Sequence, residues 1–247
     1  MKNAFYIILT VILFTSNTFS QTKAKSQEVT FITKDSISIK GTLEIPKTNK
    51  KSIPAIILIH QGGSDRNEWK QLELWNKLLT KGYALLAYDI RIHGASEKDK
   101  GGIYNLFKNP NRAPLDLLAA IKFLENQKGI DKNRIGIIGA SIGANLACVA
   151  SASKDYNIQS VVSISSKTEA AQNLSGSKND LVLKNAFHIA SKEEQDGKRA
   201  IWAKELFSKT KESKKIKIAS GNKHGSFILR DNLKLQKAIL NWFKDTL

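Results

Sequence analysis

The stretch RIGIIGASIGANLACVASAS, residues 134–153, decides the fold. Its first half, 134–140, is a short, nearly continuous apolar run of the kind that fills a strand buried on both faces. Its second half is made of small, helix-compatible residues, and between the halves Gly139-Ala140-Ser141-Ile142-Gly143 spells G-x-S-x-G. Two readings compete. Either small residues merely let a strand and a helix pack closely, or they let a serine occupy a strained turn with its hydroxyl exposed. An isolated G-x-S-x-G arises often by chance. Between a strand and a helix it marks Ser141 as a candidate nucleophile, with helix-terminal N–H groups at hand to stabilise negative charge.

Outward from this stretch the chain alternates strands and helices. EVTFITKDSISIKGTLEIP (28–46) reads as a β-hairpin turning at Lys34-Asp35. PAIILIH (54–60) is a buried strand, NEWKQLELWNKLLTKG (67–82) an amphipathic helix closed by Gly82, and YALLAYDI (83–90) the next strand. A loop over 91–113 precedes the helix PLDLLAAIKFLENQKG (114–129), with Pro114 near its first turn. After the central stretch come the strand IQSVVSIS (158–165), the long polar connection SSKTEAAQNLSGSKNDLV (165–182) and the strand NAFHIAS (185–191). The helix KRAIWAKELFSKT (198–210), the strand KKIKIAS (214–220) and a terminal helix over 231–247 complete the order. Such alternation predicts an α/β fold: a mostly parallel sheet with an N-terminal hairpin, helices on both faces and minimal or no cap domain. In such sheets ligands bind beyond the carboxyl ends of the strands, which decides which residues can matter.

Length and composition set outer bounds. At 247 residues and 41% hydrophobic content the chain suits one sizeable domain. The formal charge of +17 comes from 33 lysines and only six arginines, scattered with local clusters such as KTNKK (47–51) and KESKKIK (211–217). Nucleic-acid readers show a focused, arginine-rich patch. This pattern reads instead as a solvated lysine surface with, at most, weak attraction to anionic lipids or polysaccharides. The start, MKNAFYIILTVILFTSNTFSQ, has the layout of a secretory signal peptide over residues 1–20, with small residues Thr18 and Ser20 before a cleavage point near Gln21. That implies a secreted or periplasmic protein whose domain runs from 21 to 247; an uncleaved anchor is the alternative. The single cysteine, Cys148, falls in the helix after the serine turn and reads as a small buried residue.

A serine nucleophile needs a base. Of four histidines, His188 lies inside a strand and reads as packed, while His60 and His93 precede Ser141. His224, in the loop GNKHGS just past a strand, lies at the correct end of the sheet and follows the nucleophile, which selects it as general base. HQGGSDR (60–66) also follows a strand, and its glycines let backbone N–H groups approach a substrate; the Gly62 and Ile142 N–H groups are the candidate oxyanion donors. Asp89, Arg91 and His93 read as a structural loop network. No histidine–carboxylate cluster has ligand spacing, so neither metal nor other cofactor is expected.

These stretches together resemble the α/β-hydrolase superfamily, above all its compact dienelactone-hydrolase-type and related esterase members. The resemblance rests on LIHQGGSDR (58–66), YDIRIHGAS (88–96), DKNRIGIIGASIGANLA (131–147) and SGNKHG (220–225), and covers most of the chain after residue 20. Gln61 stands where many members have glycine. Dienelactone hydrolases proper use a cysteine nucleophile, so Ser141 points to ester chemistry. ASKEEQDG (190–197) lacks the usual aspartate at the expected position, leaving Glu193, Glu194 and Asp196 past the strand 185–191. Aligning SKEE with the superfamily's G-x-x-D turn puts Glu194 at the acid position, with Asp196 the alternative. The resemblance implies a serine hydrolase acting on short, soluble carboxylic esters through an acyl-enzyme, with a small-molecule substrate and no nucleic-acid partner. A peptidase or amidase on the same triad, and a non-catalytic binding protein of the same fold, remain the alternatives. Ile103, Tyr104, Leu106 and Phe107 of the loop 91–113 are the expected pocket wall, and oligomeric state is not legible.

Overall fold

The computed structural model describes residues 24–247. The proposed signal peptide and its cleavage point lie outside them. Eight strands form one sheet: β1 (Lys25–Ile32), β2 (Ser38–Ile45), β3 (Ile53–Ile59), β4 (Ala84–Tyr88), β5 (Ile130–Ala140), β6 (Ser160–Ile164), β7 (Leu183–Ser191) and β8 (Thr210–Ala219). Their spatial order is β1-β2-β4-β3-β5-β6-β7-β8, with β2 antiparallel to both β1 and β4 and every other pair parallel. The N-terminal hairpin and the mostly parallel sheet are as the sequence predicts.

Seven α-helices flank the sheet: α1 (Glu73–Thr80), α2 (Gly102–Leu106), α3 (Ala113–Glu125), α4 (Ile142–Ala152), α5 (Thr168–Ser175), α6 (Lys198–Ser208) and α7 (Leu233–Thr246). The two-residue period of the strands divides their side chains between two cores. Ile57 and Ile59 of β3 and Ile135 and Ile137 of β5 face Leu117, Leu146, Leu174 and Leu206 of α3 to α6. Ile56, Leu58, Ile138 and Ala140 face Leu78 of α1 and Ile239 and Phe243 of α7.

Three segments differ from the sequence reading. The helix expected over 67–82 forms only as α1. Before it, Asp65 accepts a hydrogen bond from the Asn67 N–H at 2.7 Å, and short bonds from Lys70 to Asn67 and from Leu72 to Trp69 tighten the chain. Burying Trp69 and Leu72 against the α7 side overrides the helical periodicity. The connection 165–182 contains α5, anchored by buried Ala171 and Leu174 and closed by Gly176 at φ +65°. The loop 91–113 contains α2, whose Leu106 is buried in the α3-side core and does not line a pocket.

Candidate active site

Ser141 caps α4 with φ +53° and ψ −109°, a conformation that L-residues adopt only when their surroundings enforce it. The surroundings are steric. A Cβ on Gly139 would lie 2.0 Å from the Gly143 carbonyl oxygen, and one on Gly143 would lie 2.2 Å from the Ile59 carbonyl oxygen of β3. Both glycines are therefore required for α4 to start this close to β3 and β5. The Ser141 N–H is spent on the Ile164 carbonyl at 2.8 Å, which pins the turn to β6. Both readings of the opening stretch are thus one device: close packing holds the serine in its strained pose.

The loop after β3 is held from behind. The Gln61 N–H donates to the Glu68 carboxylate at 3.2 Å, and the His60 ring bridges two backbones. His60 Nε2 accepts from the Ile90 N–H at 2.9 Å, so Nδ1 carries the proton toward the Gln61 carbonyl at 2.8 Å. Burial pushes the His60 imidazole down to about 4, which keeps that tautomer neutral. The Gln61 side-chain oxygen accepts from the Ser226 N–H at 3.3 Å and so ties this loop to the one carrying His224. Among the described residues, neither the Gly62 N–H nor the Ile142 N–H has a protein acceptor. Gly62 sits against Phe107, 3.4 Å from the ring at its Cβ position.

His224 and Glu194 meet. Glu194 Oε1 lies 2.5 Å from His224 Nδ1, and its Oε2 accepts from the buried Ser165 hydroxyl at 2.8 Å. Arg199 Nε stands 3.0 Å from the same Oε1, with its N–H not aimed at the oxygen, so that contact is a charge pairing more than a directed bond. Asp196 and Glu193 are exposed, and Asp196 makes no hydrogen bond among the described residues. A Cβ on Gly225, the next residue after His224, would lie 3.4 Å from the Ala140 Cβ, so the histidine loop packs onto the serine turn.

A cavity of about 310 Å³ opens at Ser141. Tyr104 and Phe107 form one wall, and Ala170 and Asn173 of α5 form the other, with Asn145, Lys167 and Arg199 at the base and rim. Of the expected wall residues, Tyr104 and Phe107 are placed there, whereas Ile103 is exposed and outside the lining. The α5 wall had no counterpart in the sequence reading. The other singled-out residues serve the scaffold. His188 is buried against Thr210 at 2.9 Å, and burial pushes its imidazole down to about 3. Asp89 pairs with Arg66, while Arg91, fully buried, pairs with Asp35, Asp99 and Asp116; His93 Nδ1 sits 3.1 Å from the Arg91 carbonyl. The expected loop network is therefore two networks. Among the described residues no group of His, Cys, Asp or Glu is arranged to hold a metal ion, and no helix is long and apolar enough to cross a membrane.

A serine held in a strained strand-to-helix turn after β5 and a hydrogen-bonded His–Glu pair on the loops after β7 and β8 lie past the carboxyl ends of a mostly parallel sheet. The chain belongs to the alpha/beta hydrolase fold family, whose model matches residues 54–243. It is 28% identical over 146 residues to a thiohydrolase of Aspergillus aculeatus, a match covering 58% of this chain and 42% of that protein. The chain thus spans less than half the length of the curated relatives it matches. Among solved structures it resembles the Pyrococcus furiosus esterase Pf2001, with TM-score 0.67, 20% identity, and 91% and 94% of the two chains covered. It also resembles an acylaminoacyl peptidase solved with a peptidyl chloromethyl ketone, with TM-score 0.68, 17% identity, and 91% of this chain and 42% of that one covered.

Proposed function

We propose that this protein is an exported serine hydrolase that cleaves short, soluble carboxylic esters through an acyl-enzyme. The observation that carries the reading is the strained Ser141 lining a cavity, with the hydrogen-bonded His224–Glu194 pair on the loops past the same ends of the sheet strands. In this mechanism the His224 Nε2 takes the Ser141 proton as the hydroxyl attacks the ester carbonyl. Glu194 accepts from Nδ1–H, fixes the tautomer and stabilises the imidazolium that forms. The Gly62 and Ile142 N–H groups receive the oxyanion, and the α4 N-terminus adds its dipole. His224 then protonates the leaving alcohol, and water repeats the sequence on the acyl-serine.

The substrate reading rests on the cavity. Its volume of about 310 Å³ suits a compact acyl group, and its lining combines Tyr104 and Phe107 with the Asn145 and Asn173 amides. Export rests on the charge and hydropathy layout of residues 1–20. A panel of p-nitrophenyl esters of graded chain length, run beside aminoacyl anilides on wild type and Ser141→Ala, tests the proposal. Short esters are expected to be turned over best, and the Ala variant to lose about four or more decades of kcat and its fluorophosphonate labelling while keeping its fold. Ala variants retaining a tenth of wild-type turnover would show that the nucleophile is another residue. Preference for anilides, or a steep rise toward lipid-length chains, would overturn the substrate class.

A further inference from the structure

Ser165, the residue directly after β6, has φ +58° and is fully buried. A non-glycine residue in this region is strained, and nothing about a turn alone asks for serine there; glycine would relieve it. Its hydroxyl makes two bonds. It donates to Glu194 Oε2 at 2.8 Å and accepts from the Gly225 N–H at 3.0 Å. Its carbonyl accepts from Arg199 Nη1 at 2.7 Å. One residue therefore touches the turn after β7 that carries Glu194, the loop after β8 that carries His224, and the arginine beside both.

We propose that Ser165 is a positioning residue for the reaction at Ser141, an inference that rests on Glu194 and His224 being its acid and base. A hydroxyl has one proton and two lone pairs, so it can donate to the carboxylate while it holds the histidine loop. Three groups stand at Glu194: His224 hydrogen-bonded and Arg199 charge-paired at Oε1, and Ser165 hydrogen-bonded at Oε2. With Oε2 anchored by Ser165, Oε1 is left to face Nδ1, and the Arg199 charge cannot swing the carboxylate away from the imidazole. Backbone strain is retained here because the left-handed conformation aims the hydroxyl between the turn carrying Glu194 and the loop carrying His224, so that one side chain bonds both.

The discriminating variant is Ser165→Gly, which relieves the strain but deletes the hydroxyl; Ser165→Ala deletes the hydroxyl and keeps the strain. Active-site concentration is set by fluorophosphonate titration, and kcat and KM are measured on one short-chain p-nitrophenyl ester. Both variants are expected to lose about 10- to 100-fold in kcat, as for a hydrogen bond to a charged group, with KM changed by less than about threefold. Ser165→Gly sets the relieved strain against two lost buried hydrogen bonds, and thermal unfolding beside the kinetics checks that each variant is folded at the assay temperature. In a Glu194→Gln background Ser165→Gly should cost less than about twofold more, because the two changes break one unit. Retention of half or more of wild-type kcat in Ser165→Gly would overturn the proposal and assign Ser165 to the backbone alone, as would full additivity with Glu194→Gln. An active Ser141→Ala variant would instead overturn the reading of the site on which the proposal stands.

Discussion

Replacing Glu194 by glutamine separates the two jobs of one carboxylate. Glu194 is almost fully buried, and its oxygens serve His224, Ser165 and Arg199 at 2.5, 2.8 and 3.0 Å. The amide keeps the shape but can turn its NH2 toward Nδ1. That selects the tautomer with the proton on Nε2, which cannot accept one from Ser141. A loss of about 10³- to 10⁴-fold in kcat follows, with KM little changed. Arg199 meanwhile loses its counter-charge. Breaking a buried pair costs about 3–5 kcal/mol, and the bond from Arg199 to the Ser165 carbonyl together with its residual solvent contact trims this to roughly 2–3. For a chain of this size that lowers the melting temperature by roughly 5–10 °C. Asp196→Asn changes an exposed side chain without partners and should leave both quantities within error. The assay is kcat on a short-chain ester per titrated site, beside thermal unfolding. A Glu194→Gln variant within tenfold of wild type, or a crippled Asp196→Asn, would refute the assignment of the acid.

Three further outcomes follow from the same structure. Gly143→Ala places a methyl 2.2 Å from the backbone oxygen of Ile59, a neighbour that cannot rotate away, so at least about 2–3 kcal/mol of stability should be lost in denaturant titrations; a loss under half of that would mean α4 can slide. His60 and His188 are neutral in the fold at about 4 and about 3 against an ordinary 6.5, so stability is complete above about pH 6.5 and falls as pH drops toward those values. Glu68 and Asp116, pushed up to about 7 and about 6 by burial, work in the opposite sense and offset the histidines between about pH 4.5 and 6, so melting temperature should fall most steeply below about pH 4.5, and a curve flat from pH 4.5 to 3 would contradict the burial argument. Exported material should have an intact mass starting at or near Gln21, and retained Met1 on it would sink the export reading.

The parts legible in the sequence are those governed by local rules. Apolar runs, glycine spacing and chain order were enough to mark the sheet, the strained turn at Ser141 and the loop carrying His224, because each depends on residues within a few positions of one another. The segments that were misread depend on distant ones. Asn67–Leu72 carry a helical periodicity, yet Glu68 is drawn under the Gln61 peptide and Trp69 into the α7-side core. The stretch containing α5 is mostly polar, and the burial of Ala171 and Leu174 against the rest of the α3-side core fixes it as a helix.

One signal in the composition bears on the site more closely than the motifs do. The chain uses lysine for nearly all of its positive charge, so a buried arginine marks a place where a flexible ammonium would not serve. Four of the six, Arg66, Arg91, Arg112 and Arg199, are buried or nearly so and bound to carboxylates. Arg112 joins Asp99 and the carbonyl of Gly102, and Arg91 joins the same Asp99 to the β1–β2 turn, which fastens the Tyr104–Phe107 wall to the sheet. Arg199 meets Glu194. The scarcity of arginine thus picks out the wall and Glu194, neither of which the G-x-S-x-G spacing reaches, and the Arg199 guanidinium stands 5.3 Å from the centre of the Trp202 ring while it pairs with a carboxylate, two contacts that a planar fork makes at once.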